Sequence, residues 1–325
     1  MKNLSLKQKL VSNGLPVILY GTTPPKADAA EERVARAANR LAERTSPLAL
    51  DGVVVYDVQD ESARTSEPRP FAFLPTLDPR SYSKLISHAT QLPTITYKCV
   101  AGMDEVQWRA WLRGAIDDFG IEAVSLVGHS SSKERVAGLT LQEAIRIASG
   151  DEFNCAVGGV VIPERHRVDN SESHRLIKKA EAGCDYFVSQ AVYNPGAVVQ
   201  LLRDYSEDCD RMEIFPKRII LTFTPCGSPE TLRLMKWLGV SVPADTELAM
   251  ESASDTLSKS IEICAGNLAE VLNETSNLPI PLGIHTESIS IRKAEIEGSI
   301  ELARRLRYVA SVRWPELATN ATITP

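Results

Sequence analysis

The sequence lacks the marks of several functional classes. There is no basic surplus: 36 Lys and Arg stand against 42 Asp and Glu, a formal charge of −6. The phosphate-neutralising face of a nucleic-acid binder is therefore not expected. No apolar run nears the roughly 18 residues that a membrane-spanning helix requires. Met1-Lys2-Asn3-Leu4-Ser5-Leu6-Lys7 leads into polar residues rather than into an apolar leader with a small-residue cleavage site. The expectation is a cytoplasmic protein that partners neither membrane nor nucleic acid. Six cysteines (Cys99, Cys155, Cys184, Cys209, Cys226 and Cys264) form no CxxC, and no HxxxH occurs. Neither a disulfide framework nor a metal site is expected, and the thiols read as small apolar residues in a reducing compartment. No GxGxxG or P-loop spacing occurs, which excludes the common dinucleotide and nucleoside-triphosphate cradles. No Gly-, Pro- or Ser-rich boundary divides the chain, so one domain is expected over residues 1–325.

What is present is a globular composition, 43% apolar and 24% charged. Short β-branched runs at 17–20, 53–56, 94–97, 123–127, 156–162, 186–189, 219–222 and 280–284 have the continuous apolar character of strands buried on both faces. Helical patterns lie between and after them, at 27–45, 80–91, 104–119, 140–149, 171–183, 195–206, 228–238 and 289–311. A strand followed by a helix, repeated eight times, predicts a (β/α)8 TIM barrel, with a doubly wound open sheet as the alternative. An additional amphipathic stretch at 246–272 predicts an extra helix between strands seven and eight.

A barrel of this kind carries its chemistry at the C-terminal ends of its strands. Those positions hold Thr22 and Thr23, then Asp57, Gln59 and Glu61, then Lys98, Gly128 and His129, then Glu164 and His166, then Gln190, Thr224, His285 and Glu287. Neutral acceptors, carboxylates and imidazoles thus converge on one rim. Gly128-His129-Ser130-Ser131-Ser132 lacks the second glycine of a nucleophile elbow, and its hydroxyls and amides either bind a phosphate or cap a helix. His174, Lys178 and Lys179 on the helix after strand five read either as a solvated face or as a hold for an anionic ligand.

Taken in order, four segments resemble the methylenetetrahydrofolate reductase family: Tyr20-Gly21-Thr22-Thr23-Pro24-Pro25-Lys26; Ile162-Pro163-Glu164-Arg165-His166; the run from Lys178 through Ala182-Gly183 to Gln190, with Tyr193 beyond; and the strand from Ile219 to Pro225. The resemblance implies a (β/α)8 barrel that passes hydride from NAD(P)H through FAD to methylene-tetrahydrofolate. It implies a folate site with Gln190 on the pterin edge, Asp57 and Glu61 on its amino and ring N–H groups, and Thr22 and Tyr193 nearby. Tyr20, Tyr56, Tyr97 and Tyr193 would wall the slot. Gly128, Ser130, His166 and Lys179 would hold the cofactor.

Two departures alter that expectation. The family's proton-donating glutamate in the first motif is here Gly21, and its Arg-Gly-Asp after strand four is Val127-Gly128-His129. His129, Glu164 and Glu287 are the candidates for the catalytic proton. Flavin binding is left open, as are a flavin-free methyl transfer or demethylation with tetrahydrofolate, a non-catalytic folate-binding subunit, and a homo-oligomer or partner protein.

Overall fold

The computed structural model describes residues 4–12, 14–62, 65–128, 137–167 and 171–317. A short helix, α1 (Leu6–Val11), precedes eight strands: β1 (Val17–Thr22), β2 (Gly52–Val55), β3 (Thr94–Cys99), β4 (Ala123–Val127), β5 (Ala156–Val161), β6 (Tyr186–Ala191), β7 (Arg218–Phe223) and β8 (Leu282–Thr286). All neighbours are parallel, pairing follows chain order, and β8 closes onto β1. Parallel neighbours need a crossover, which helices supply. These are α2 (Glu31–Thr45), α3 (Pro79–Thr90), α4 (Glu105–Arg113), α5 (Leu141–Ala148), α6 (Glu172–Ala182) and α7 (Pro195–Arg211). Three more, α8 (Pro229–Trp237), α9 (Ala244–Glu251) and α10 (Thr256–Glu274), lie between β7 and β8, and α11 (Lys293–Arg313) follows β8. The closed (β/α)8 barrel is the expected fold, and the open sheet is not formed.

The side-chain period of two sorts each strand into an inner and an outer set. Val17, Leu19, Val54, Ile95, Ala123, Ala156, Tyr186, Val188 and Ile220 fill the barrel, whereas Ile18, Val53, Val55, Val124, Val157, Phe187, Ile219 and Ile284 pack against the helices. The interior is also closed from the N-terminal side. Leu6 and Leu10 of α1 join the inner set, and Arg218 at the start of β7 donates to the Ser12 carbonyl at 2.8 Å. Above them Tyr186 crosses the barrel and donates its hydroxyl to the Val124 carbonyl at 2.9 Å. Its ring occupies the volume a Cβ on Gly158 would need, 2.4 Å from that position, so only glycine fits at Gly158.

The insertion differs from its sequence reading. Periodicity assigns 228–238 to the ring of helices and 246–272 to the addition, but the structure exchanges the roles. It is α10 that stands between α7 and α11, while α8 and α9 form the insertion. Two apolar helical stretches compete for one place in the ring, and the longer stripe takes it: α10 buries Ile261, Cys264, Ala265, Leu268, Val271 and Leu272. Among the described residues no helix is long and apolar enough to cross a membrane.

Candidate functional site

At the C-terminal ends of the strands the inner set becomes polar. Gly21 on β1 has no side chain, and that volume is taken by β8: an ideal Cβ there would lie 2.5 Å from His285 Nε2 and 3.1 Å from Glu287 Cβ. His285 is fully buried, its Nδ1 3.1 Å from Thr222 Oγ1 and its Nε2 without a partner. Burial lowers its pKa to about 3, so the ring is neutral. It meets the Tyr56 ring edge-on at 6.1 Å, and Tyr56 in turn packs on Tyr97 at 4.7 Å.

Glu287, just beyond β8, lies close to the Tyr56 side chain; burial has the larger effect on its carboxyl and raises it to about 7, while Tyr56 lowers it. The position the family resemblance assigns to a glutamate on β1 is thus empty of side chain, and a carboxyl from the adjacent strand β8 stands beside it. Near neutrality that carboxyl keeps a substantial protonated fraction, as a general acid requires. Glu164, in the short 3-10 turn after β5, is also raised by burial to about 7, and its Oε2 is buried without a hydrogen-bond partner.

Gln190 ends the inner face of β6. The β6–β7 register shifts between Val188 and Ala191, and there Ser189 Oγ accepts the Thr222 amide at 2.9 Å. Such a bulge re-aims the neighbouring side chain. Gln190 Nε2 donates to the Leu238 carbonyl at 2.8 Å, which leaves Oε1 buried and unpartnered. Leu238 follows α8, and the last residue of that helix, Trp237, donates its indole N–H to the Glu67 carbonyl at 3.0 Å. Glu67 belongs to the β2–α3 connection. This connection, the strap, thus meets the end of α8, which in turn reaches the end of β6. Its near end is fixed by an isolated antiparallel bridge between Lys26 and Thr76.

The mouth therefore brings together Gln190 and Glu287 among the expected site residues, with Tyr56 and Tyr97 as expected walls. Other expected residues are engaged elsewhere. Tyr193 is fully buried in the outer core and donates to the Thr224 carbonyl at 2.8 Å. Tyr20 also faces outward, 2.7 Å from Ser299 Oγ. Period-two alternation turns Tyr20 outward, one residue out of step with the inner set, whereas Tyr193 lies beyond the end of β6 and past its register shift. Thr22 lies beside the Tyr82 hydroxyl of α3.

Asp57 latches the rim: its Oδ2 accepts the Cys99 amide at 2.9 Å and Lys98 Nζ at 3.3 Å, and its Oδ1 accepts Gln59 at 2.8 Å. Glu61 is close enough to contribute to the raised pKa of the Cys99 thiol, after burial and the Asp57 charge. His166 Nε2 is 2.6 Å from Asp204 Oδ2 on α7, and Lys179 Nζ donates to the Val160 carbonyl at 2.5 Å, which places both in the helical layer. Gly128 follows β4 and is followed by His129 and Ser130, which lie outside the described residues. Sequence reasoning places His285 on the rim as a strand-end imidazole without assigning it a task, and it passes over Trp237 and Arg69 of the strap region entirely.

A family model described as methylenetetrahydrofolate reductase matches residues 125–288, from β4 to just past Glu287. Among solved structures, an uncharacterized protein from Clostridium thermocellum that binds two copies of 5-methyl-5,6,7,8-tetrahydrofolic acid is 35% identical to this chain. It superposes with a TM-score of 0.79 over 94% of this chain and 99% of that one. The comparison with curated proteins finds no match. A family model over half the chain and a solved relative over nearly all of it lead to one statement: the chain belongs to the methylenetetrahydrofolate reductase family.

Proposed function

We propose that the barrel mouth binds a reduced folate and converts its bridging methylene to methyl, with Glu287 as the proton donor. The observation that carries this reading is the Glu287 carboxyl, which stands beside Gly21 and close to Tyr56 and is raised by burial to about 7. Opening the methylene bridge requires a proton on the departing nitrogen, and a hydride then reduces the resulting iminium carbon. Gln190 Oε1, an acceptor without a donor, suits a pterin N–H or amino group. His285 Nε2, neutral and unpartnered, offers a second hydrogen-bonding atom, an acceptor when Nδ1 carries the proton toward Thr222. Tyr56 and Tyr97 supply an aromatic wall for a flat ring.

The same acceptors fit the ring N–H of a flavin, which would supply the hydride when bound and be recharged by NAD(P)H. Gly128 and Ser130 remain proposed for its phosphates. Glu164 is the alternative acid, and His129 the third candidate. Asp57 and Glu61 support the folate site from the rim.

The test is formation of methyl-tetrahydrofolate from methylene-tetrahydrofolate by purified protein with FAD and NADH or NADPH. Glu287→Gln should lower turnover by about 10²–10⁴-fold, the usual contribution of a general acid, while leaving folate binding intact. Wild-type turnover in that variant moves the proton to Glu164. No methyl product from the wild-type protein removes the reductive reading.

One observation favours a second reading. The Clostridium relative binds two copies of methyl-tetrahydrofolate, so a second pterin in this mouth would stand where a flavin ring would lie. The chain would then be a flavin-free folate-binding protein or a tetrahydrofolate methyl-transfer enzyme. A colourless protein that titrates with two equivalents of methyl-tetrahydrofolate supports it, and a bound flavin spectrum with one equivalent rejects it.

A further inference from the structure

Among the described residues, the strap's Arg69 has two N–H groups without an acceptor. Its guanidinium carbon is 5.4 Å from the Phe73 ring centre and 5.3 Å from that of Trp237. Such cation–π contacts attract the group but satisfy no N–H donor. Its Nε and Nη1 are buried and have no hydrogen-bond partner. The acidic side chain known to act on it is Asp60, an exposed carboxylate that is itself hydrogen-bonded to Ser62. Buried guanidinium donors left unsatisfied are costly, and an arginine in that state is suited to an oxyanion supplied from outside.

The position of Arg69 says which oxyanion. Trp237, which it contacts, immediately precedes Leu238, whose carbonyl holds Gln190 Nε2. The side chain that carries the unpartnered acceptor, Gln190, and the side chain that carries the unpartnered donors, Arg69, are thus tied to two consecutive residues, Leu238 and Trp237. A folate carries complementary groups at its two ends: N–H donors on the pterin, and carboxylates on the glutamate tail. The geometry points to Arg69 as the receptor for the tail carboxylate of the folate whose pterin edge meets Gln190. This inference rests on the folate reading above. It adds a specificity determinant in the β2–α3 strap that distinguishes a complete folate from a bare pterin. A phosphate of a flavin or nicotinamide nucleotide presents the same oxyanion chemistry, and the test separates the two sources.

The experiment is calorimetric titration of the full-length protein with 5-methyl-tetrahydrofolate and with 6-methyl-tetrahydropterin, which lacks the benzoylglutamate tail. FAD and NADPH are titrated in parallel. The wild-type protein should prefer the folate. Arg69→Met, which keeps an unbranched apolar stem beside the rings, should weaken folate binding at least tenfold and leave the tetrahydropterin unchanged. Arg69→Lys, which restores a charge, should recover part of the loss. Equal weakening of both pterin ligands would reduce Arg69 to a packing residue of the strap and overturn the proposal. So would no change in either, or a loss confined to FAD or NADPH. If the wild-type protein binds neither pterin ligand, the folate reading itself fails and this inference falls with it.

Discussion

Gly21 shows how a missing side chain organises the mouth. A methyl group there would stand 2.5 Å from His285 Nε2, so Gly21→Ala must displace a buried ring. It should destabilise the protein by about 1–3 kcal/mol, as overpacked cores do, read from denaturant midpoints. Gly21→Glu restores the family's glutamate in sequence only. With His285 and Glu287 filling that space, it should cost more stability than the alanine and return no activity to Glu287→Gln.

The two carboxyls and the imidazole also set opposite pH dependences. Burial raises Glu287 and Glu164 from an ordinary value of 4.5 to about 7. The folded state thus holds their protons more tightly than the unfolded chain. Their contribution is complete below about pH 4.5 and is lost as the pH rises through 7. His285, lowered from 6.5 to about 3, contributes fully above about pH 6.5 and loses that contribution as the pH falls toward 3. Between pH 6.5 and 8 the carboxyls alone operate. The melting temperature should fall over that interval, and Glu287→Gln should flatten the fall. Gln190→Leu should weaken folate binding by about 1–3 kcal/mol, the cost of leaving a buried ligand group unpaired, in the same calorimetric titration.

At the scale of elements, the strap and α8 depend on each other through Trp237, which is 5% exposed and engages both the Glu67 carbonyl and Arg69. Trp237→Ala should release the β2–α3 connection. Limited proteolysis should then cut first between residues 57 and 77, before any site in the barrel. This region was illegible in the sequence for a physical reason: residues 57–77 carry neither a helical nor a strand period, and Glu67 and Arg69 contact an element about 170 residues away. The barrel strands and their helices were legible because each has its own period and its own stop. Asp104 and Thr140, for example, form capping boxes with Gln107 and Glu143 at the starts of α4 and α5. Where two periodic segments competed, as α8 and α10 do, period alone could not assign the place in the ring. Within the site, Gln190 and Glu287 were legible as strand-end residues on the inner face. Tyr20 and Tyr193 were misplaced because strand ends alone do not say which face a side chain takes.

For the molecule as a whole, the N-terminal helix is part of the barrel rather than an appendage. Its Leu10 has no exposed surface and packs among Val17, Leu19 and Val54 inside the strands. Leu10→Ala should cost about 2–5 kcal/mol, a core value, although the residue sits in a six-residue helix at the chain's start. Helix α1 below and Tyr186 across the interior leave the barrel with one open end. A vessel with a single doorway imposes an order on its contents: what enters last leaves first. On the reductive reading proposed above, two partners that must both touch the same ring face in such a vessel take turns rather than meet, and product inhibition by each partner against the other would record that queue.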